Sequence, residues 1–206
     1  MKISRRGSKG FSLIELLVAL LIVGILAGLL APALMSLITS SRLNDATEQI
    51  VQLADYARQA AIASNSPVEV RFYRFDNASA NPTAGHYQAV QVFRFDSTGN
   101  VTALTKAYFL PAGIIIDSSA TLSPLLGQVK NFSPPLDPKI NIPRAGINYD
   151  CAAFKIFPSG STALATTSWF VTLHQSNTGD ALNSPPANYA TVQIDPVLGI
   201  AKIYRP

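Results

Sequence analysis

The chain has 206 residues, of which 48% are hydrophobic and only 14% charged, with a formal net charge of +4. The whole positive excess sits in Lys2, Arg5, Arg6 and Lys9, ahead of any acid, so the rest of the chain is neutral overall and the basic total gives no support to a nucleic-acid role. The single cysteine, Cys151, excludes an intrachain disulfide.

Residues 9 to 38 read KGFSLIELLVALLIVGILAGLLAPALMSLI. From Leu16 to Met35, twenty residues carry no charge and no hydrogen-bonding side chain. A helix of that length spans about 30 Å, one hydrocarbon core. Gly24, Gly28 and Pro32 interrupt the run without excluding a membrane helix, where such residues are tolerated. The basic flank precedes the run, which predicts a cytoplasmic N-terminus with the remainder carried across. A secretory signal peptide would have a shorter apolar core and a small-residue cleavage site. Here the apolar pattern instead continues as Leu43, Ala46, Ile50, Leu53, Ala57 and Ala61, a one-faced stripe at spacings of three and four. The spacing predicts one helix from about Ser12 to about Ser64, kinked near Pro32 and ended by Pro67, with Asn65-Ser66 as the exit.

KGFSLIELLVALLIVGILAGLLAPAL, behind its basic leader, resembles the class III signal of type IV prepilins and type II secretion pseudopilins. The resemblance covers roughly residues 5 to 45. It implies that a prepilin peptidase and methyltransferase cuts between Gly10 and Phe11 and methylates the new amine of Phe11. It also makes Glu15 the signature acid of subunit assembly and Pro32 a helix-disrupting proline. An unpaired carboxylate in hydrocarbon costs several kcal/mol. Glu15 can meet that cost by pairing with the Phe11 amine of a neighbouring subunit, an attraction strengthened by low dielectric. The plainer alternative is a carboxylate near enough to the helix start to reach the headgroups.

After Pro67 the period changes to two. VEVRFYRF (Val68 to Phe75) and HYQAVQVFRF (His86 to Phe95) read as strands, separated by the loop DNASANPTAG. Ser97 to Asn100 reads as a turn. Shorter strands are expected at Val101 to Leu104, Ala107 to Leu110 and Ile114 to Asp117. Residues 118 to 150, rich in Pro, Ser and Asn, read as a long surface excursion with a short helix around Leu122 to Leu126. Ala153 to Phe157, Trp169 to His174, Ala190 to Ile194 and Ile200 to Tyr204 complete the strands, the last pair joined by DPVLG. The fold class that follows is α+β: a long N-terminal helix packed by its apolar face on a mostly antiparallel sheet, the pilin-like arrangement. The expected organisation is a cleaved basic leader (1–10), a transmembrane half-helix (11–38), an amphipathic half-helix (39–66) and an extracytoplasmic β-rich domain (67–206). The stretches ARQAAIASNSPVEVRF, YFLPAGIIID, FKIFPSGS and TVQIDPVLGIAKIY resemble landmarks of the minor pseudopilin H (GspH/FimT-like) group and of the Verru_Chthon cassette protein D family.

No catalytic constellation is evident. The only histidines, His86 and His174, fall in predicted strands and read as strand-surface positions, outside any His-x-His or His-Glu-x-x-His pattern. There is no Gly-x-Ser-x-Gly elbow, and FPSGS (Phe157 to Ser161) reads as a turn. Cys151 has no basic neighbour and reads as a buried or idle thiol. The acids Asp76, Asp96, Asp117, Asp137, Asp150, Asp180 and Asp195 mostly border turns without the spacing of a calcium loop. No metal and no cofactor is expected. Asn77-Ala-Ser79 and Asn100-Val-Thr102 match the glycosylation pattern. Some FimT-like minor pilins bind DNA, and Arg71, Arg74 and Arg94 stand among Tyr73, Phe93 and Phe95, a basic and aromatic mix; read plainly, they form the solvated face of a strand pair. The resulting expectation is a structural, non-enzymatic subunit of a pilus or secretion pseudopilus in the bacterial inner membrane. Its partners would be the peptidase and other pilin subunits, with a DNA-uptake pilin as the alternative and a membrane-anchored enzyme behind it.

Overall fold

The amphipathic stripe and the change of period at Pro67 become one helix and one sheet. The computed structural model describes residues 12–76 and 84–205, except for the side chains of 27 and 29–36. Helix α1 runs Leu13–Ser64 without a break in its assignment at Pro32. Its end is built as the sequence predicts. Asn65 takes a left-handed φ of 47°, and the Ser66 N–H reaches back to the Ala61 carbonyl at 3.3 Å, closing the last turn before Pro67. The chain divides into two compact units, Met1–Thr39 and Ser40–Pro206. In the first, every described side chain from Ser12 to Leu26 is exposed. Among the described residues no helix is long and apolar enough to cross a membrane. The twenty-residue apolar run of the sequence includes positions whose side chains lie outside that description.

In the second unit, the strands are β1 (Val68–Phe75), β2 (His86–Phe95), β3 (Val101–Ala103), β4 (Tyr108–Phe109) and β5 (Ile114–Ile116), then β6 (Asp150–Ile156), β7 (Phe170–Gln175), β8 (Tyr189–Ile194) and β9 (Ala201–Tyr204). They form one sheet in the order β6-β1-β2-β5-β7-β8-β9, with β3 and β4 also paired to β2. Each of these strand pairings is antiparallel. Leu43, Ala46, Ile50, Ala54, Ala57 and Ala61 of α1 are buried in one core with Val68, Val70 and Phe72 of β1 and the facing residues of β2, β6, β7 and β8. The alanines let the sheet approach the helix axis closely. Leu53, expected in this stripe, sits at its margin, and Ala54 takes the buried position.

The other face departs from expectation. Residues 118 to 150 carry little regular structure and are mostly exposed or half-buried, yet they are more than a surface excursion: Leu125 and Leu126 enter the core under α1, and parts of residues 132–149 lie over the second face of the sheet. Ile142 and Tyr149 are buried there with Tyr73, Phe75, Ala89, Phe93 and Cys151. The Tyr149 ring stands edge-on to Tyr73 at 4.9 Å, and its hydroxyl donates to the Ile140 carbonyl and accepts the Ile140 N–H. The short helix predicted near Leu122 to Leu126 is a 3₁₀ turn at Pro124–Gly127 that buries Leu125 and Leu126. Strand β6 starts at Asp150, earlier than predicted, because Asp150 and Cys151 pair with Arg74 and Tyr73 of β1. β1 is therefore buried on both faces along nearly its whole length. The predicted loop between β1 and β2, with Asn77 and Ser79, falls mostly outside the described residues.

Candidate functional site

Of the residues implicated by sequence, Gly10 and Phe11 lie outside the described residues, as does the side chain of Pro32. Glu15 lies in the first turn of α1. The Ser12 N–H donates to Glu15 Oε2 at 3.4 Å, and the Glu15 N–H donates to Ser12 Oγ at 3.3 Å. This reciprocal pair is a capping box: each side chain satisfies a backbone donor that the helix start leaves open. The carboxylate also faces the positive end of the helix dipole, worth about 0.3–1 kcal/mol at an exposed site. The Ser-x-x-Glu spacing was present in the sequence, and reading Glu15 as an isolated acid passes over it. Both residues are exposed. The arrangement holds a carboxylate at the head of the helix, aimed at backbone N–H groups, where an ammonium would be a stronger partner.

The domain holds a second concentration of charge that sequence reasoning misplaces. Arg71 is not on a solvated face: it is fully buried. Its Nε donates to Glu69 Oε1 at 2.7 Å and its Nη2 to Asp137 Oδ1 at 2.7 Å. Lys130 bridges the same acids, 3.0 Å from Glu69 and 2.5 Å from Asp137. The guanidinium carbon lies 4.0 Å from the centroid of Phe93, and Nη1, which has no hydrogen-bond partner among the described residues, is left to that aromatic surface. Burial works against the charge on Arg71, and the Glu69 and Asp137 carboxylates more than offset it, so its pKa stays above the ordinary value. Two cations and two acids thus lock strand β1 to the segment carrying Lys130 and Asp137. Arg74 and Arg94 are half-buried. With Arg71 sealed inside, the basic and aromatic face that a DNA-binding reading needs loses its central cation.

His174 is likewise buried, not on the strand surface. Its Nε2 lies 2.9 Å from Asp117 Oδ2, and its Nδ1 lies 2.8 Å from the Gln175 carbonyl and 3.0 Å from Thr178 Oγ1. Carboxylate, imidazole and hydroxyl stand in the order of a nucleophile relay. The Thr178 hydroxyl, however, donates to the Gln175 carbonyl at 2.7 Å, so its proton is held there, and the arrangement works as a bracket. Asp117 also accepts the N–H groups of Ser119 and Leu182. His86 is partly exposed, as expected of a strand surface, and lies 2.9 Å from Asp180. Cys151 is buried, as expected, and burial pushes its thiol up to about 12. Among the described residues no group of His, Cys, Asp or Glu side chains is placed to hold a metal ion.

Residues 5–31 match the family model described as the prokaryotic N-terminal methylation motif. The match is confined to the N-terminal segment, the stretch whose sequence resembles a prepilin signal. No curated protein matches the chain. Similar solved structures include two of the minor pseudopilin EpsH from the type II secretion system of Vibrio cholerae. One has a TM-score of 0.44 at 9% identity, covering 79% of this chain and 96% of that one. The other, a crystal structure, has a TM-score of 0.45 at 11% identity, covering 81% and 96%.

Proposed function

We propose that the chain is a pilin-like structural subunit, a minor pseudopilin or pilin, held in the bacterial inner membrane by the first half of α1. The observation that carries this reading is the methylation motif at residues 5–31. A bare apolar helix surface from Leu13 to Leu26 supports it. In this reading a prepilin peptidase cuts between Gly10 and Phe11 and methylates the Phe11 amine. The new ammonium lies beside Ser12, whose N–H already engages Glu15. Glu15 of one subunit then exchanges that weak amide partner for the Phe11 ammonium of a neighbour. The domain, residues 40–206, lies on the extracytoplasmic side, and its role is packing and contact, not turnover.

The test is the intact mass and N-terminal sequence of the protein taken from its native membrane. A start at N-methyl-Phe11 is expected, and a mature chain that still begins at Met1 overturns the reading.

A further inference from the structure

The two edges of the sheet are finished differently. Strand β6 is covered along its outer side: the Lys130 N–H donates to the Cys151 carbonyl, the Ala153 N–H to the Gln128 carbonyl and the Ala163 N–H to the Lys155 carbonyl. Strand β9 pairs only with β8 among the described residues. Its register sets Ala201 opposite Ile194, Lys202 opposite Gln193, Ile203 opposite Val192 and Tyr204 opposite Thr191. The Asp195 N–H bonds the Ile200 carbonyl at 2.9 Å, which fixes the phase of the ladder. Because hydrogen-bonded and non-bonded pairs alternate along an antiparallel ladder, Lys202 and Tyr204 turn their backbone groups to β8, whereas Ala201 and Ile203 turn theirs outward.

The side chains beside this edge form a receptacle. Ala201 belongs to the core under α1, so Lys202 points to the opposite face. There Trp169, Gln193, Pro196, Ile200 and Lys202 line a cavity of about 340 Å³. Ile203 and Tyr204 are 44% and 52% exposed, a large apolar area for an edge strand of four residues. The charge beside the edge is positive on balance, Lys202 and Arg205 against Asp195, with which Lys202 interacts electrostatically. Lys202 makes no ion pair among the described residues, and the Arg205 guanidinium donates only to the neutral side-chain oxygens of Ser40, Asn44 and Asn188. The carboxylate of Asp195, which also borders the cavity, is already accepting the N–H groups of Val197 and Leu198 at 2.8 and 2.9 Å. A second copy of the chain would bring like charges together across this edge, whereas an acidic segment is complementary.

We propose that β9 is a docking edge for an extended, acidic segment of another polypeptide. That segment adds to the sheet as a further strand through the outward backbone groups of Ala201 and Ile203. It seats an apolar side chain beside Trp169 and brings a carboxylate to Lys202. Main-chain bonds supply the attachment, and the cavity and the cation supply the selection.

The test uses the full chain in detergent and two fluorescent peptides, Thr-Phe-Thr-Asp-Thr-Val and its twin Thr-Phe-Thr-Lys-Thr-Val, followed by anisotropy at low salt. The acidic peptide should bind at least about tenfold more tightly than the basic one, and Lys202→Glu should reverse the order. Ile203→Pro should weaken the acidic peptide at least about tenfold with an unchanged circular dichroism spectrum, since the N–H it removes points away from β8 and proline is tolerated on such an edge. Equal affinity for the two peptides, no saturable binding of the acidic one, or self-association through β9 in place of peptide binding overturns the proposal. If Ile203→Pro fails to fold, the reversal by Lys202→Glu decides alone. Cleavage at Gly10 plays no part in this assay, so its failure and that of the subunit reading are separable.

Discussion

Removing the carboxylate of Asp137 should destabilise the domain by about 3 kcal/mol. The buried cluster is balanced, with Arg71 and Lys130 against Glu69 and Asp137. In Asp137→Ala, Arg71 loses its 2.7 Å bond and Lys130 its 2.5 Å contact, leaving two cations against one acid. Breaking a buried pair from one side costs about 3–5 kcal/mol, because the orphaned charge stays desolvated. The lower end applies here. The side chain of Lys130 is 9% exposed and can turn its ammonium toward water, whereas that of Arg71 is 0% exposed and cannot. For a chain of this size, each kcal/mol moves the melting temperature by about 2–4 °C, so a fall of about 6–12 °C is expected. Near-ultraviolet circular dichroism of the packed Tyr73–Tyr149 pair reports the transition, with parent and variant compared in the same detergent. Asp137→Asn should fall between them, since its amide oxygen can still accept from Arg71. Lys130→Ala combined with Asp137→Ala should cost less than the two single changes added, because each removes a partner of the other. A loss below about 0.5 kcal/mol for Asp137→Ala would refute the reasoning and return the cluster to the weak coupling of exposed pairs.

The Cys151 thiol, raised to about 12 by burial, should remain unlabelled by iodoacetamide in the folded chain at pH 8 and react promptly in urea; comparable rates in the two states would show that the second core is open. Asp180 predicts a pH dependence. Burial alone would raise its carboxyl, but His86 and the N–H groups of Ser118 and Ala181 hold it below its ordinary value. A depressed carboxyl contributes stability above the unfolded pKa of about 3.9 and loses it as pH falls through the folded value. Asp180→Ala should therefore cost about 1–2 kcal/mol at pH 6–7, with the gap to the parent closing below about pH 4 in thermal melts; a gap that widens in acid contradicts the assignment.

The elements that could be read from the sequence share one property: their signal is local and repeated. β1 and β2 fall on the predicted residues because β-branched and aromatic residues alternate there, and the exit of α1 falls at Asn65-Ser66 because Pro67 follows. The second face of the sheet could not be read this way. Ile142, Tyr149 and Leu125 reach their cores singly, from turns without period, so no window of residues 118 to 150 carries the pattern of a buried element. Nor does alternation distinguish a polar face in water from one closed over by paired charge. Glu69 and Arg71 look solvated in VEVRFYRF and are buried because Lys130 and Asp137, some sixty residues on, complete the cluster. His174 follows the same logic with Asp117. At the N-terminus the acid is legible from its context, while its hydrogen-bond partner, Ser12, is legible only when the spacing of a capping box is considered.

The contrast between the two units bears on what the protein needs. In residues 40–206 the sheet is covered on one face by α1 and on the other by side chains from residues 132–149, and its charged groups at depth have partners. Folding leaves this unit little unmet demand apart from the β9 edge. In the first unit, Leu13, Ile14, Leu16, Leu17, Val18 and the aliphatic residues that follow to Leu26 are exposed all round the helix. Such a surface is unstable in water unless something apolar covers it, and a helix greasy on every side has no single face for one partner to hide. Lipid covers all sides of a lone helix equally, and so do several copies gathered around one another. In the subunit reading proposed above, Glu15 at the head of this helix would then have a purpose beyond capping. Among interchangeable apolar surfaces that can slide past each other at little cost, one charge set against one ammonium would fix where sliding stops.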